Sequence, residues 1–101
     1  MLYEERYNAV GRLTGEGNGP TVLFSGHLDT SIRGDEDWLS GIGFKNKAVI
    51  IDNEWIYGNG IYNMKNAHVC YIAAVDALQR AGIKLKGDII IGGTVGEVEQ
   101  V

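Results

Sequence analysis

Two spacings of apolar residues alternate along this chain, and the switch between them divides it into elements. Tyr7 to Leu13 sets Tyr7, Ala9 and Gly11 on one side, the period of a short strand. Gly15 to Pro20 is a turn, because glycine and asparagine tolerate positive φ and proline fixes its own. Thr21 to Ser25 is too short and too apolar for a surface strand, so it is expected to be buried. Thr30 to Phe44 is a glycine-rich, acidic loop with Trp38 as its one large apolar anchor. Lys47 to Asp52 and Glu54 to Tyr57 are strands, and Asp52-Asn53 between them has hairpin-turn chemistry.

After Gly58-Asn59-Gly60 the period changes to that of a helix. Met64, Ala67, Tyr71, Ala74, Leu78 and Ala81 form one helical face, broadened by Val69, Cys70, Ile72 and Val75. That width predicts a long, mostly buried helix with Asp76, Gln79 and Arg80 on its wet side. Gly82 supplies the C-cap, and Asn63 or Asn66 the N-cap. Ile83 to Gly87 turns back into a buried strand from Asp88 to Val95. Strand, helix and strand in this order favour parallel pairing with a right-handed crossover.

Composition narrows the class. The 101 residues are 45% hydrophobic and 22% charged, enough for one small domain with a core. Nine basic against 13 acidic residues give a net charge of −4, which argues against a nucleic-acid partner. Cys70 is the one cysteine. It forms no intrachain disulfide, fits a reducing compartment, and sits in an apolar helical run as a small core residue. No stretch approaches the roughly 18 apolar residues of a membrane helix, and Met1 to Val10 has no signal-peptide core. A cytoplasmic protein is expected. The chain stops just past an apolar strand, where functional residues usually emerge, which leads us to expect a fragment.

Chemistry is concentrated at the strand ends. His27 and Asp29 are two apart after Val22-Leu23-Phe24, so they point the same way. They suit an imidazole ligand with a carboxylate that orients it. Alone, a His-x-Asp is more often a strand-end histidine beside a capping aspartate. Asn63 could reach a metal at the helix N-terminus, or be the cap; position alone favours the cap. Glu97 and Glu99 follow the last strand, where open α/β sheets place ligands. There a carboxylate can act as a general base, or simply be solvated. Gly58-x-Gly60-x-x-Asn63 imitates a dinucleotide fingerprint but lacks its third glycine and the acid after the second strand. His68 reads as a partly exposed helix residue.

Taken in order, Gly26-His27-Leu28-Asp29-Thr30, Tyr57 to Asn66, Lys86-Gly87-Asp88 and Thr94 to Glu99 resemble one family. It is the zinc-dependent aminoacylase, carboxypeptidase G, acetylornithine deacetylase and succinyl-diaminopimelate desuccinylase family. The resemblance covers nearly the whole chain and favours the functional readings of His27, Asp29 and Glu97. It implies an α/β fold: part of a zinc-peptidase-like catalytic domain, with a mixed, mostly parallel sheet and one long buried helix. It implies zinc or cobalt, with His27 as ligand, Asp29 orienting His27, and Glu97 as the general base. The position of Asn63 would carry a carboxylate bridging two metals, and that of Val98 a glutamate ligand.

Here the chain departs from the pattern. Asparagine offers one neutral oxygen where a bridging aspartate offers two anionic ones, and valine cannot coordinate. Glu99 substitutes for it only if the strand bulges. The family's further aspartate and histidine ligands lie beyond residue 101, and its lid domain is not in this chain. The expected molecule, residues 1–101, is therefore a single fragment of a metallohydrolase domain, inactive alone. The complete enzyme would act on a small N-acyl amino acid or peptide. The alternative is a non-catalytic remnant that self-associates through exposed strand edges or binds a partner.

Overall fold

The computed structural model describes residues 5–98. The elements, in order, are β1 (Ala9–Leu13), β2 (Val22–His27), a single 3-10 turn at Ile42–Phe44, and β3 (Val49–Ile51). Then come β4 (Trp55–Tyr57), a kinked helical turn at Ile61–Lys65, α1 (Asn66–Arg80) and β5 (Ile89–Thr94). Each expected strand is present, usually shortened at its ends. β2 instead runs longer, taking in Gly26 and His27.

Three strands form one sheet in the order β1-β5-β2, and β3-β4 form a separate hairpin. β2 is parallel to β5 and β1 is antiparallel to it. The sheet is thus mixed in equal parts, not mostly parallel. The strand before the helix, β4, does not join β5. Asp52 and Asn53 turn it back on β3 at φ 54° and 56°, the left-handed geometry of a tight hairpin. β5 takes β2 as its parallel neighbour, so the crossover spans the loop, the hairpin and the helix together.

Register decides which groups meet. His27 lies opposite Thr94 and Gly26 opposite Gly93. Val22 N donates to the Asp88 carbonyl at 2.9 Å and Leu28 N to that of Thr94 at 2.7 Å. The even-numbered residues of β2 therefore turn their main-chain groups toward β5, and the odd-numbered ones turn theirs to the open edge.

α1 covers one face of the sheet. Phe24 stacks on Tyr71 with ring centroids 4.9 Å apart. A Cβ on Gly26 would stand 2.5 Å from Met64 Cε and 3.0 Å from His68 Nε2, so glycine there permits the close approach of helix and strand. The helix ends as expected. Gly82, at φ 66°, donates to Gln79, and Ile83 donates back to Leu78, which is a Schellman closure. Neither asparagine caps its start: Lys65 holds that position without a side-chain bond, and Asn66 bonds only to the next amide.

Burial departs most from expectation. No residue of α1 is fully buried, and Cys70 is exposed. Met64, Ala67, Tyr71 and Leu78 of the expected face are half-buried, while Ala74 and Ala81 are exposed. β2 is exposed over Val22, Leu23 and Phe24, against the buried strand its composition suggests. Trp38 is exposed, and its neighbour Leu39 is the buried anchor of the loop, the one buried hydrophobic residue among those described. The apolar pattern marks what needs covering; α1 covers one face, while Leu23 and Val10 on the other meet solvent. Among the described residues no helix is long and apolar enough to cross a membrane.

Candidate active site

The site forms where β2 and β5 end side by side. His27, the last residue of β2, is 8% exposed. Its Nδ1 donates to the main-chain carbonyl of Asp29 at 2.8 Å. Nε2 faces Asn63 Oδ1 at 3.0 Å and Glu97 Oε2 at 3.8 Å. Asn63 Oδ1, like the Asp29 carbonyl, only accepts, so both ring nitrogens donate and these contacts are those of the protonated ring. On losing a proton the ring keeps Nδ1–H through the Asp29 bond and frees the Nε2 lone pair for a metal.

Each partner has its own support. Asp29 follows the strand end, and its carboxylate accepts from Val98 N at 2.8 Å and Glu97 N at 3.4 Å. It therefore braces the loop that carries Glu97. Its Oδ1 stands 3.8 Å from His27 Nδ1, and the hydrogen bond to the ring comes from the Asp29 main chain rather than from the carboxylate expected to orient it. Asn63 sits in the kinked turn at φ −128° and ψ 96°, outside helical space, with a cis bond to Met64. At these non-helical dihedrals its side chain reaches β2 instead of capping the helix. Glu97 lies past β5 in a bend and is 63% exposed, open to a ligand from solvent.

Electrostatics follow from these contacts. The Asp29 carbonyl raises the pKa of His27 above 6.5 by accepting from the protonated ring. Burial opposes that shift, while Asn63 and the charges of Glu97 and Asp29 reinforce it.

The structure thus brings together His27, Asp29, Asn63 and Glu97. Glu99 lies outside the described residues. Sequence reasoning missed His68, whose Nε2 donates to the His27 carbonyl at 3.1 Å. The one signal for it was Gly26, a glycine inside a strand, which marks a close approach. Lys65 also reaches the strand end, donating to the Leu28 carbonyl at 3.0 Å. At Gly58 to Gly60 the amides of Asn59 and Ile61 are taken up by the carbonyls of Lys45 and Gly58, and the Asn59 side chain by the Ile32 carbonyl and Asn46.

Comparison with known proteins places this arrangement. The family model described as peptidase family M20/M25/M40 matches residues 23–98, which run from Leu23 in β2 through the helix to Val98. The chain belongs to the M20/M25/M40 peptidase family. A succinyl-diaminopimelate desuccinylase from Afipia carboxidovorans is 39% identical over 71 residues. That match covers 69% of this chain and 18% of the relative, so the chain spans about a fifth of that protein's length.

M20 family members are generally metal-dependent, which makes the donor set the test. Among the described residues no three His, Cys, Asp or Glu side chains are placed to hold an ion. Catalytic zinc normally takes three protein ligands. The Asp29 carboxylate is taken up by the amides of Glu97 and Val98, which leaves one imidazole and the Glu97 carboxylate as strong donors, with Asn63 offering only a neutral amide oxygen. The described residues do not fit a catalytic zinc by themselves.

Proposed function

We propose that this chain is the strand-end portion of a metal-dependent amide hydrolase, a deacylase or desuccinylase, and that it does not turn over substrate by itself. The observation that carries the reading is the convergence of His27, Asn63 and Glu97 on one point at the mouth of the sheet. Family membership and the desuccinylase relative support the reaction class. Zinc or cobalt is the cofactor we assign to the complete protein; Asn63 and Val98 stand where the resemblance implies carboxylate donors, and the remaining donors are supplied from outside residues 5–98.

Glu97 is the proton carrier in this reading. Its exposed carboxylate can take a proton from an attacking water and return it to the leaving amine. The substrate class is a small N-acyl amino acid or peptide, by analogy with the relative. A chimera tests this: the desuccinylase with its matching 71-residue segment replaced by that of this chain. We expect turnover of an N-succinyl amino acid once Asn63→Asp and Val98→Glu restore the donors, and a loss of about 10²–10⁴-fold on Glu97→Gln. No turnover in the restored chimera, or turnover indifferent to Glu97→Gln, would overturn the reading.

Two observations favour a second reading, a non-catalytic remnant that self-associates. Val10 and Leu23 stand exposed on the open face of the sheet, and the radius of gyration, 16.9 Å, exceeds the ~13 Å of a compact chain of this length. Light scattering separates the two: a monomer at all concentrations removes the second reading.

A further inference from the structure

The carbonyl of His27 points to the open edge of β2, away from β5, because His27 is an odd-numbered residue of that strand. No strand lies on that edge in the described sheet, whose order is β1-β5-β2. A carbonyl at such an edge ordinarily turns to water. Here it accepts from the ring of His68, at 3.1 Å, on the first turns of α1. The ring passes over Gly26, where any Cβ would stand 3.0 Å from Nε2 and 3.1 Å from Cε1. His68 is itself held edge-on by Tyr71, with ring centroids 5.9 Å apart, and Tyr71 is stacked on Phe24 of the same strand. The next carbonyl, that of Leu28, accepts from Lys65.

We propose that His68 is a positioning residue: with Lys65 it clamps two successive carbonyls of the β2 end and so fixes where the His27 ring stands relative to Asn63 and Glu97. A carbonyl only accepts, so His68 must carry its proton on Nε2. The clamp acts at the main chain of His27, while the ring of His27 is oriented by Asp29. The absent side chain of Gly26 is what makes room for it. The proposal deepens the hydrolase reading and rests on it for its purpose, but its geometry is read in this chain alone.

The test is nitrogen-15 NMR of the histidine rings in the full chain, without metal, at a pH where both are neutral. In the unaltered protein His68 is expected to show Nε2 protonated and Nδ1 bare; the reverse tautomer would overturn the clamp. His68→Leu keeps an apolar body against Tyr71 and removes the donor. It is expected to shift the His27 ring signals and to speed exchange of the Leu28 and Val98 amides about five- to tenfold, the effect of one lost hydrogen bond. His68→Gln, which restores an N–H of similar reach, is expected to return both to near the original values. Unchanged His27 signals in His68→Leu, or a Gln variant indistinguishable from Leu, would overturn the proposal. Failure of the hydrolase reading would appear instead in the Glu97→Gln chimera, and leaves these signals untouched.

Discussion

The Nε2 atom of His27 lies 3.8 Å from Oε2 of Glu97, although the two residues come from the ends of different strands. The parallel register that sets His27 opposite Thr94 produces this approach, and the Asp29 carboxylate completes it by holding the amides of Glu97 and Val98. A carboxylate this near a buried imidazole favours the protonated ring.

The first prediction concerns that proton. His27 has a pKa raised above 6.5, chiefly by the Asp29 carbonyl and then by Asn63 and Glu97. A raised folded value means its contribution to stability is fully present below about 6.5 and is lost as pH rises through the folded value. NMR titration should show His27 protonating at higher pH than a free histidine, and Glu97→Gln should lower its midpoint. An unshifted midpoint in Glu97→Gln would mean that the carboxylate does not face the ring in solution.

A second prediction lies at the other end of the sheet. Asp88 is buried, and its Oδ1 accepts from Gly15 N at 2.7 Å while Oδ2 accepts from Arg12 Nε at 2.8 Å. The Gly15 amide first, and then Arg12, hold its pKa below 3.8. The stability this adds is present above that value and disappears as pH falls through the lower folded one. Asp88→Asn should lower the neutral-pH melting temperature and flatten its fall in acid. An unchanged melting profile would contradict the role of Asp88 in tying the turn after β1 to the start of β5.

Legibility from sequence had a clear limit. The hairpin was readable because Asp52 and Asn53 carry their own turn chemistry, and the end of α1 because Gly82 does. The partner of β5 was not, since nothing local says that β2 rather than β4 will lie beside it. Burial was not readable either: Val22, Leu23 and Cys70 are apolar in pattern yet exposed, because a pattern records what prefers cover, not what this chain supplies. Asn63 reads as a cap, yet at its non-helical dihedrals its side chain reaches His27. His68 carried no spacing signal at all, because its partner is a main-chain carbonyl.

Gly26 offers a third prediction. Ala at this position drives a methyl into Met64 Cε and the His68 ring. Met64 Cε is the end of a flexible side chain and can swing aside, so the cost falls on the His68 ring, which is held by the His27 carbonyl, and should be about 1 kcal/mol in denaturant unfolding. His68→Ala in the same chain should remove that further cost, since the ring is the obstacle. A Gly26→Ala cost that persists in His68→Ala would show that the ring does not pass over Gly26.

The most direct measurement is a zinc titration of the metal-free chain, followed at the ring nitrogens of both histidines. The account predicts that His27 Nε2 and the Asn63 side-chain amide move first, with weak affinity in keeping with an incomplete donor set, and that Asn63→Asp tightens binding. Zinc that leaves the His27 ring unmoved in excess metal, while shifting His68 instead, would contradict it.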